Sequence, residues 1–432
     1  MPKKSKLSTD NYKGVRDFYP EDHQAQRYIY SKAEEVVEKF GYQEYNASPL
    51  EYHEIYKAKS GEEIAEEQTY TFEDRGGRIV SLRPEMTPTA ARMVAKKSRE
   101  LRFPVRWYSI TNIFRYENPQ KGRLREHYQL NADIFGGTSE EADMEMIFLV
   151  NEIMNNFGAT PKDFTIYIND RRILQELFTN YEIEKSTGHQ ISKLLDKKDK
   201  MSESAFQEEM LRYLDPETTE DLLNDLSSSA NILAKLDKNN LAMSRMMEIL
   251  GKLQEVGVSN VSFEPTLVRG FDYYTGLVFE VTDTDPSNPR SLFGGGRYDS
   301  LVSHFSDRDI PAVGFGLGDV RLLEFLKIHS LLPQFTPTTD LVICRAGNYS
   351  YTERHALASS FRDQGIRTEV DISGKKLKDQ ISSVSKKCIP FVAVMGEKEE
   401  QKEKINIKHL PSGEERTLSL GDACVWIKKT LK

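Results

Sequence analysis

Leu267-Val268-Arg269-Gly270-Phe271-Asp272-Tyr273-Tyr274-Thr275-Gly276 sets a guanidinium, a carboxylate and two phenols between glycines at the entry to a strand. Further on, Gly294-Gly295-Gly296-Arg297-Tyr298-Asp299 repeats that chemistry. Glycine lets a backbone approach a ligand closely, and Arg, Tyr and Asp together suit a small zwitterion beside a phosphate better than they suit a core. Any one of these tyrosines, taken alone, reads as strand packing with a wet hydroxyl; two glycine-flanked clusters carrying Arg and Asp do not. Ala312-Val-Gly-Phe-Gly-Leu-Gly-Asp-Val-Arg321 follows, reading as a strand, a glycine turn and a helix start. Its glycines at 314, 316 and 318 do not fit GxGxxG, and no βαβ pattern surrounds them, which excludes a dinucleotide fingerprint.

Upstream, Tyr28, Ile29, Ala33, Val36, Val37 and Phe40 recur at helical spacing from about Glu21, and Gly41 ends the helix. Thr69–Phe72 and Ile79–Leu82 alternate around Asp74-Arg-Gly-Gly77, a hairpin that delivers Arg83-Pro-Glu-Met-Thr87. Strands are predicted over Arg106–Ile113 and Tyr128–Phe135 with a charged loop between them. Thr138 and Glu141 read as a capping box for the next helix. Strand runs on one surface and helices on the other predict an α+β fold, an antiparallel sheet flanked by helices, rather than a doubly wound one.

The chain has 432 residues, too many for one ordinary core. The expected organisation is a sheet domain in two parts, 1–170 and 263–330, separated by a helical insertion at 171–262 rich in Lys, Glu, Asp and Leu. A linker at 331–337 carries Pro333 and Pro337, and a separate α/β domain occupies 338–432, with strands at Leu341–Ile343, Thr368–Val370, Phe391–Val394 and Ile405–Leu410. No apolar run approaches the ~20 residues that span a bilayer, and the start lacks the apolar stretch of a secretory signal. Cys344, Cys388 and Cys424 lie far apart without metal-ligand spacing, so they read as buried thiols of a reducing cytoplasm rather than a disulfide framework. With a net charge of −8, any nucleic-acid contact must come from local basic patches.

With Phe114-Arg115-Tyr116-Glu117 added, the chain resembles the class II aminoacyl-tRNA synthetases, and its two Arg/Tyr/Asp clusters resemble the signature motifs of the histidyl-tRNA synthetase family. The resemblance runs from Lys13 to the last helix. It implies a homodimer built on the first helix and the strand after it, and an anticodon-binding C-terminal domain. It also implies activation of histidine by ATP, with Mg²⁺, to histidyl-adenylate and pyrophosphate, and transfer to the 3′ end of tRNA(His). Arg115 and Glu117, read as alternating along one strand, would meet the α-phosphate and the adenine. Arg123 would lie near the outer phosphates, His127 would stack near adenine where relatives carry Phe, and Arg321 would bind the γ-phosphate. Arg269 would contact the α-phosphate and the substrate carboxylate. Glu85, Thr87 and Gln129 would hold the α-ammonium. Tyr273, Tyr274, Tyr298 and Asp133 would form the imidazole pocket, Asp133 standing where many relatives have Glu. Gln120, Lys121 and Arg123 would face the tRNA acceptor end. Val320 replaces the Glu usual before Arg321, leaving Asp319 or Glu324 to support that arginine.

The implied nucleophile, a carboxylate, is already ionised at neutral pH, so an arginine-rich site built for alignment and charge stabilisation is what the chemistry asks for. Two other readings share parts of this pattern. A non-catalytic paralogue acting as a histidine-sensing regulatory subunit would lose the ATP site, whereas Arg115, Glu117, Arg269 and Arg321 are all present. A synthetase for glycine, threonine or proline would not carry both clusters.

Overall fold

The computed structural model describes residues 7–57, 68–120, 122–198, 201–236, 241–268, 273–347, 350–394 and 404–431. They form two compact units, Met1–Pro333 and Gln334–Lys432.

The first unit opens with α1 (Pro20–Lys39), which begins on a proline with Glu21 and Asp22 in its first turn and has Lys39 in its last. Each end therefore carries the charge that the helix dipole favours. Its buried stripe is Ile29, Ala33, Val36 and Val37, and Gly41, at φ +83°, turns the chain after it. There follow β1 (Gln43–Glu44), β2 (Leu50–Tyr52), α2 (Glu54–Lys57), β3 (Thr71–Glu73), β4 (Ile79–Leu82) and α3 (Thr87–Lys96). Then come β5 (Val105–Phe114), β6 (Glu126–Phe135), α4 (Glu140–Asn156) and β7 (Phe164–Asp170). The helices α5 (Arg171–Asn180), α6 (Lys185–Leu195), α7 (Glu203–Met210), α8 (Pro216–Asp225), α9 (Ser229–Lys235) and α10 (Leu241–Glu255) come next. Four of them start on an Asp or Ser whose side chain accepts from a backbone N–H of the first turn: Asp170, Ser202, Asp215 and Ser228. The chain then returns through β8 (Val261–Phe263), β9 (Leu277–Asp283), β10 (Ser291–Arg297), β11 (Ala312–Gly318) and α11 (Asp319–Ile328).

Eight strands form one sheet in the order β1-β5-β6-β11-β10-β9-β7-β8, antiparallel except for the parallel edge pairs β1–β5 and β7–β8. Its two faces differ. Leu130, Ala132 and Ile134 of β6, with Val313, Phe315 and Leu317 of β11, pack beneath α1, α4 and α11 in one core. The intervening residues, among them Gln129, Asn131 and Asp133 of β6 and Gly314 and Gly316 of β11, lie on the opposite face. A second sheet, β2-β4-β3, is the expected hairpin plus one strand.

Four expectations change. The capping box at Thr138 does not form. Ser139 is the N-cap without a side-chain cap bond, because Arg297 fixes this turn by donating to the carbonyls of Gly137 (2.9 Å) and Ser139 (3.4 Å). Arg115 and Glu117 do not alternate along a strand; β5 ends at Phe114, and an N–H···O bond from Glu117 back to Arg115 (2.8 Å) bends the chain there. The glycines of 312–318 lie within β11 rather than in a turn after it. Cys388 is exposed, whereas Cys344 and Cys424 are buried.

Arg297 itself points away from Gly296 and Tyr298. Its guanidinium donates to Asp143 Oδ1 on α4 (2.7 Å), and Asp143 Oδ2 accepts from Arg245 on α10 (2.6 Å). The Arg297 and Asp143 side chains are 4% and 1% exposed, so this is a buried tie between β10, α4 and α10.

The second unit holds β12 (Leu341–Cys344), α12 (Tyr351–Asp363), β13 (Thr368–Val370), α13 (Leu377–Lys386), β14 (Phe391–Val394), β15 (Ile405–His409), β16 (Glu415–Leu418) and α14 (Leu420–Thr430). Its sheet runs β13-β12-β14-β15-β16, with parallel pairs about β12. The four strands read from the sequence are present, and β16 adds a fifth, short and largely exposed, which hides its pattern. Ser350 and Glu353 cap α12 reciprocally.

Removing one partner of a buried ion pair leaves a charge without compensation. Asp143→Ala should therefore lower the unfolding free energy by about 3–5 kcal/mol. Asp299→Asn, which removes the half-exposed partner of Arg297, should cost at most about 1 kcal/mol. Denaturant melts of both variants check the contrast; equal losses would contradict it.

Candidate active site

Strands β6 and β11 pair so that Gly314 faces Asp133 and Gly316 faces Asn131. The glycines are required by close approach. A Cβ on Gly314 would lie 2.0 Å from Asp133 Oδ1, and one on Gly316 1.5 Å from Gln129 Nε2. On β10, a Cβ at Gly296 would meet the Tyr274 ring at 2.8 Å. Every second residue on these two strands is thus cleared of its side chain, opening room over the sheet for groups from β6 and from the segment before β9.

Two buried carboxylates face that room, and each is capped by a tyrosine. Tyr273 donates to Glu85 Oε2 (2.8 Å), and Tyr298 donates to Asp133 Oδ1. The Tyr273 ring stands 5.0 Å from Tyr274 and 5.7 Å from Tyr298, both edge-on, so the three phenols form one wall. Thr87, the first residue of α3, is buried beside the Tyr273 hydroxyl. Burial pushes the Asp133 carboxyl up to about 7; the Tyr298 hydrogen bond opposes this and the Glu85 charge adds to it. Burial likewise raises Tyr273 and Tyr298 well above the usual phenol range. These phenols therefore stay protonated and act as donors.

A second region adjoins it. Arg115 Nε donates to the Pro84 carbonyl (2.9 Å), beside the Glu85 segment. Glu117 and Arg123 approach to 3.8 Å, and Gln120 and Arg123 exchange two backbone bonds across a tight loop. In that loop Gly122, at φ +78°, passes so close to Arg321 that a Cβ would lie 2.4 Å from its Nε. Arg321 donates to Asn288 Oδ1 (3.1 Å) and Glu324 (3.3 Å), so of the two acids available to it Glu324 supplies the support. Asp319 is engaged instead by Arg16 (2.7 Å) and the Tyr128 N–H (3.2 Å). A cavity of about 390 Å³ is lined by Gln120, Asn288, Arg290, Arg321 and Glu324 among others. Its cationic guanidiniums fit a polyanion. His127 is held down to about 3 by burial and by the nearby charges of Arg115 and Arg16, so its ring is neutral and can stack.

Arg269 and Lys121 lie outside the described residues. Asp272 of the first cluster lies outside them too; the other residues given a binding role fall into these two adjoining regions, whereas Arg297 and Asp299 of the second cluster belong to the tie with α4. Sequence reasoning missed Asn288, Arg290 and the Arg16–Asp319 pair. Asn288 and Arg290 sit in an irregular segment between two strands, and Arg16 meets a partner 303 residues away.

The fold is that of a class II aminoacyl-tRNA synthetase. The family profile described as histidyl-tRNA synthetase matches residues 14–322, and that described as anticodon binding domain matches residues 341–430. Histidine--tRNA ligase of Leptospira biflexa is 41% identical over 436 residues, covering 99% of both chains. That of Thermoplasma volcanium is 34% identical over 430 residues, covering 98% of this chain and 99% of its own. The crystal structure of histidyl-tRNA synthetase from Nostoc sp. PCC 7120 shares the fold, with a TM-score of 0.82 at 23% identity over 98% of this chain and all of that one. The chain belongs to the histidyl-tRNA synthetase family.

The raised Asp133 has a consequence for stability. The folded state keeps its proton up to about pH 7, whereas the unfolded chain releases it in the usual carboxylate range. Between those limits the folded state binds the extra proton, so stability falls as pH rises through that window. Asp133→Asn removes this penalty. Its stability relative to the parent chain should grow by roughly 2 kcal/mol from pH 5 to pH 8 in urea melts. A difference that does not change with pH would refute the raised value.

Proposed function

We propose that this chain is a histidine--tRNA ligase whose pocket selects histidine through the two tyrosine-capped carboxylates. That pair is the observation that carries the reading. A histidine offers an ammonium at one end and ring N–H groups at the other, and a site that hydrogen-bonds its substrate rejects apolar analogues strongly. Glu85, with Thr87 and Gln129, would take the α-ammonium. Asp133, with Tyr298 and the Tyr273–Tyr274 wall, would take the imidazole.

In the first step the histidine carboxylate attacks the α-phosphorus of ATP and pyrophosphate leaves. No protein base is needed; the site must align the reactants and stabilise charge on the phosphoryl oxygens. Arg115 and Arg269 are assigned to the α-phosphate, Glu117 to the adenine and His127 to stacking beside it. Arg123 and Arg321 are assigned to the outer phosphates in the cavity beside Glu324 and Asn288. Mg²⁺ belongs to this reading as a phosphate-borne ion: Glu324 is the one acid among the described residues lining that cavity, consistent with the few protein ligands Mg²⁺ takes at nucleotide sites. In the second step a terminal ribose hydroxyl of tRNA(His) attacks the adenylate carbonyl and AMP leaves. Gln120, Lys121 and Arg123 are assigned to that acceptor end and residues 338–432 to the anticodon. Residues 171–262 are assigned as the helical insertion between 1–170 and 263–330, the two parts of the catalytic domain. The free thiols and the translation substrates agree with a cytoplasmic location.

A homodimer is part of the proposal. The β2-β4-β3 sheet presents Leu50, Tyr52 and Phe72 on one face, each about half exposed, with Val80 and Leu82 between them. Such a contiguous apolar patch calls for cover.

Pyrophosphate exchange with each of the twenty amino acids should respond to histidine alone; exchange with another amino acid, or with none from a folded protein, would overturn the assignment. In sedimentation, the Tyr52→Glu, Phe72→Glu double variant should run as a monomer where the parent runs as a dimer. A monomeric parent, or a dimer in both, would remove that face from the interface.

A further inference from the structure

Beneath the two carboxylates the cleared face of the sheet carries a second set of polar groups that no step above uses. Asn131 lies directly across from Ser109 on β5, as Asp133 does from Trp107. Tyr45 joins the same edge, its N–H bonded to the Tyr108 carbonyl (2.8 Å) and its ring 5.3 Å from that of Trp107. Ser109 is fully buried and Asn131 is 3% exposed. Among the described residues, Asn131 Oδ1 and Asp133 Oδ2 are buried without a hydrogen-bond partner, and beside them the buried hydroxyls of Tyr45 and Ser109 face each other. Buried polar atoms are almost always paired, and each exception calls for an explanation. Two such acceptors side by side on one strand would be a costly way to build a core, since each unsatisfied group costs about 1–3 kcal/mol. An apolar set of similar volume would cost nothing of the kind.

The spacing suggests what satisfies them. Asn131 and Asp133 are two apart on one strand, so their side chains leave the same face about 6.6 Å apart. Two hydrogen bonds of about 2.9 Å to opposite edges of a small flat ring cover that span. The unpaired atoms, Asp133 Oδ2 and Asn131 Oδ1, are both acceptors, so the pair suits a ring that offers an N–H at each nitrogen. Gly316 stands across from Asn131, and its missing side chain makes room for the Gln129 amide next to that of Asn131.

We propose that Asn131 is a further specificity-determining residue, binding the second imidazole nitrogen opposite Asp133, with Ser109 and Tyr45 as the polar layer that orients its amide. This rests on the reading of the pocket as a histidine site. Asn131→Leu keeps the volume and removes the amide. It should raise the KM for histidine at least tenfold in pyrophosphate exchange while leaving the KM for ATP within twofold. It should also raise the melting temperature of the ligand-free protein, because a buried unpaired amide is replaced by an apolar group. A residue of purely structural importance would move stability the other way. Ser109→Ala should raise the histidine KM by a smaller factor, two- to fivefold, and it decides the matter if the leucine variant does not fold. If the parent exchanges with histidine and neither variant shifts its KM beyond twofold, this proposal falls and the histidine site stands. If the parent does not exchange with histidine, both fall.

Discussion

The structure depends on a sheet whose two faces obey opposite rules. On β6 and β11 one set of alternate residues is Leu, Ala, Ile, Val and Phe and packs under three helices, while the other set is polar on β6 and glycine on β11. Burial of each large apolar side chain in that core contributes about 1.5–3 kcal/mol, and this pins the register. A slip by one residue would bury Asp133 and Asn131 beneath α4 and turn Phe315 to the polar face. The pocket is therefore held in place by the core behind it.

The same strands explain why glycines recur where no turn exists. Gly314, Gly316 and Gly296 make space for Asp133, Gln129 and Tyr274 at distances no Cβ could share. The room so made is lined by acceptors and phenolic donors, which is the inventory for an amino acid with two polar ends. The arginines lie to one side, where the loop after β5 folds over Arg321. The two proposed chemistries, recognition of a zwitterion and stabilisation of phosphate charge, would thus share one sheet face without mixing their residues.

Long-range ties hold the pieces in register. Asp143 joins Arg297 of β10 to Arg245 of α10, and Asp319 joins Arg16 near the start of the chain to the Tyr128 amide. Both acids are almost fully buried, and both sit in the first turn of a helix, where a carboxylate also favours the dipole. Through the first tie the helical segment is anchored next to the residue that precedes Tyr298. Through the second, the N-terminal segment is fixed beside His127.

Local pattern carried most of the architecture: α1 with its apolar stripe and Gly41, the hairpin at 71–82, the long β5–β6 pair and four strands of the C-terminal sheet. Each follows from periodicity or turn chemistry over a few residues, which a sequence states directly. The two clusters with Tyr273 and Tyr298 could be read as a candidate ligand site for the same reason, since Arg, Asp and Tyr between glycines are poor material for a core. What required the tertiary structure was direction and partnership. Arg297 and Tyr298 are neighbours in sequence but leave opposite faces of β10, so one became a structural tie and the other a pocket wall. Arg115 and Glu117 left the strand at a bend no periodicity marks, and Ser139 rather than Thr138 began α4 because Arg297 reaches its carbonyl. Asp133 rises toward neutrality because packing buries it, with the Glu85 charge adding to the effect, and Glu85 is 48 residues away in sequence. Sequence determines which groups are available and on which face of an element they fall; only the packing of distant elements sets which of them meet, and how far from water.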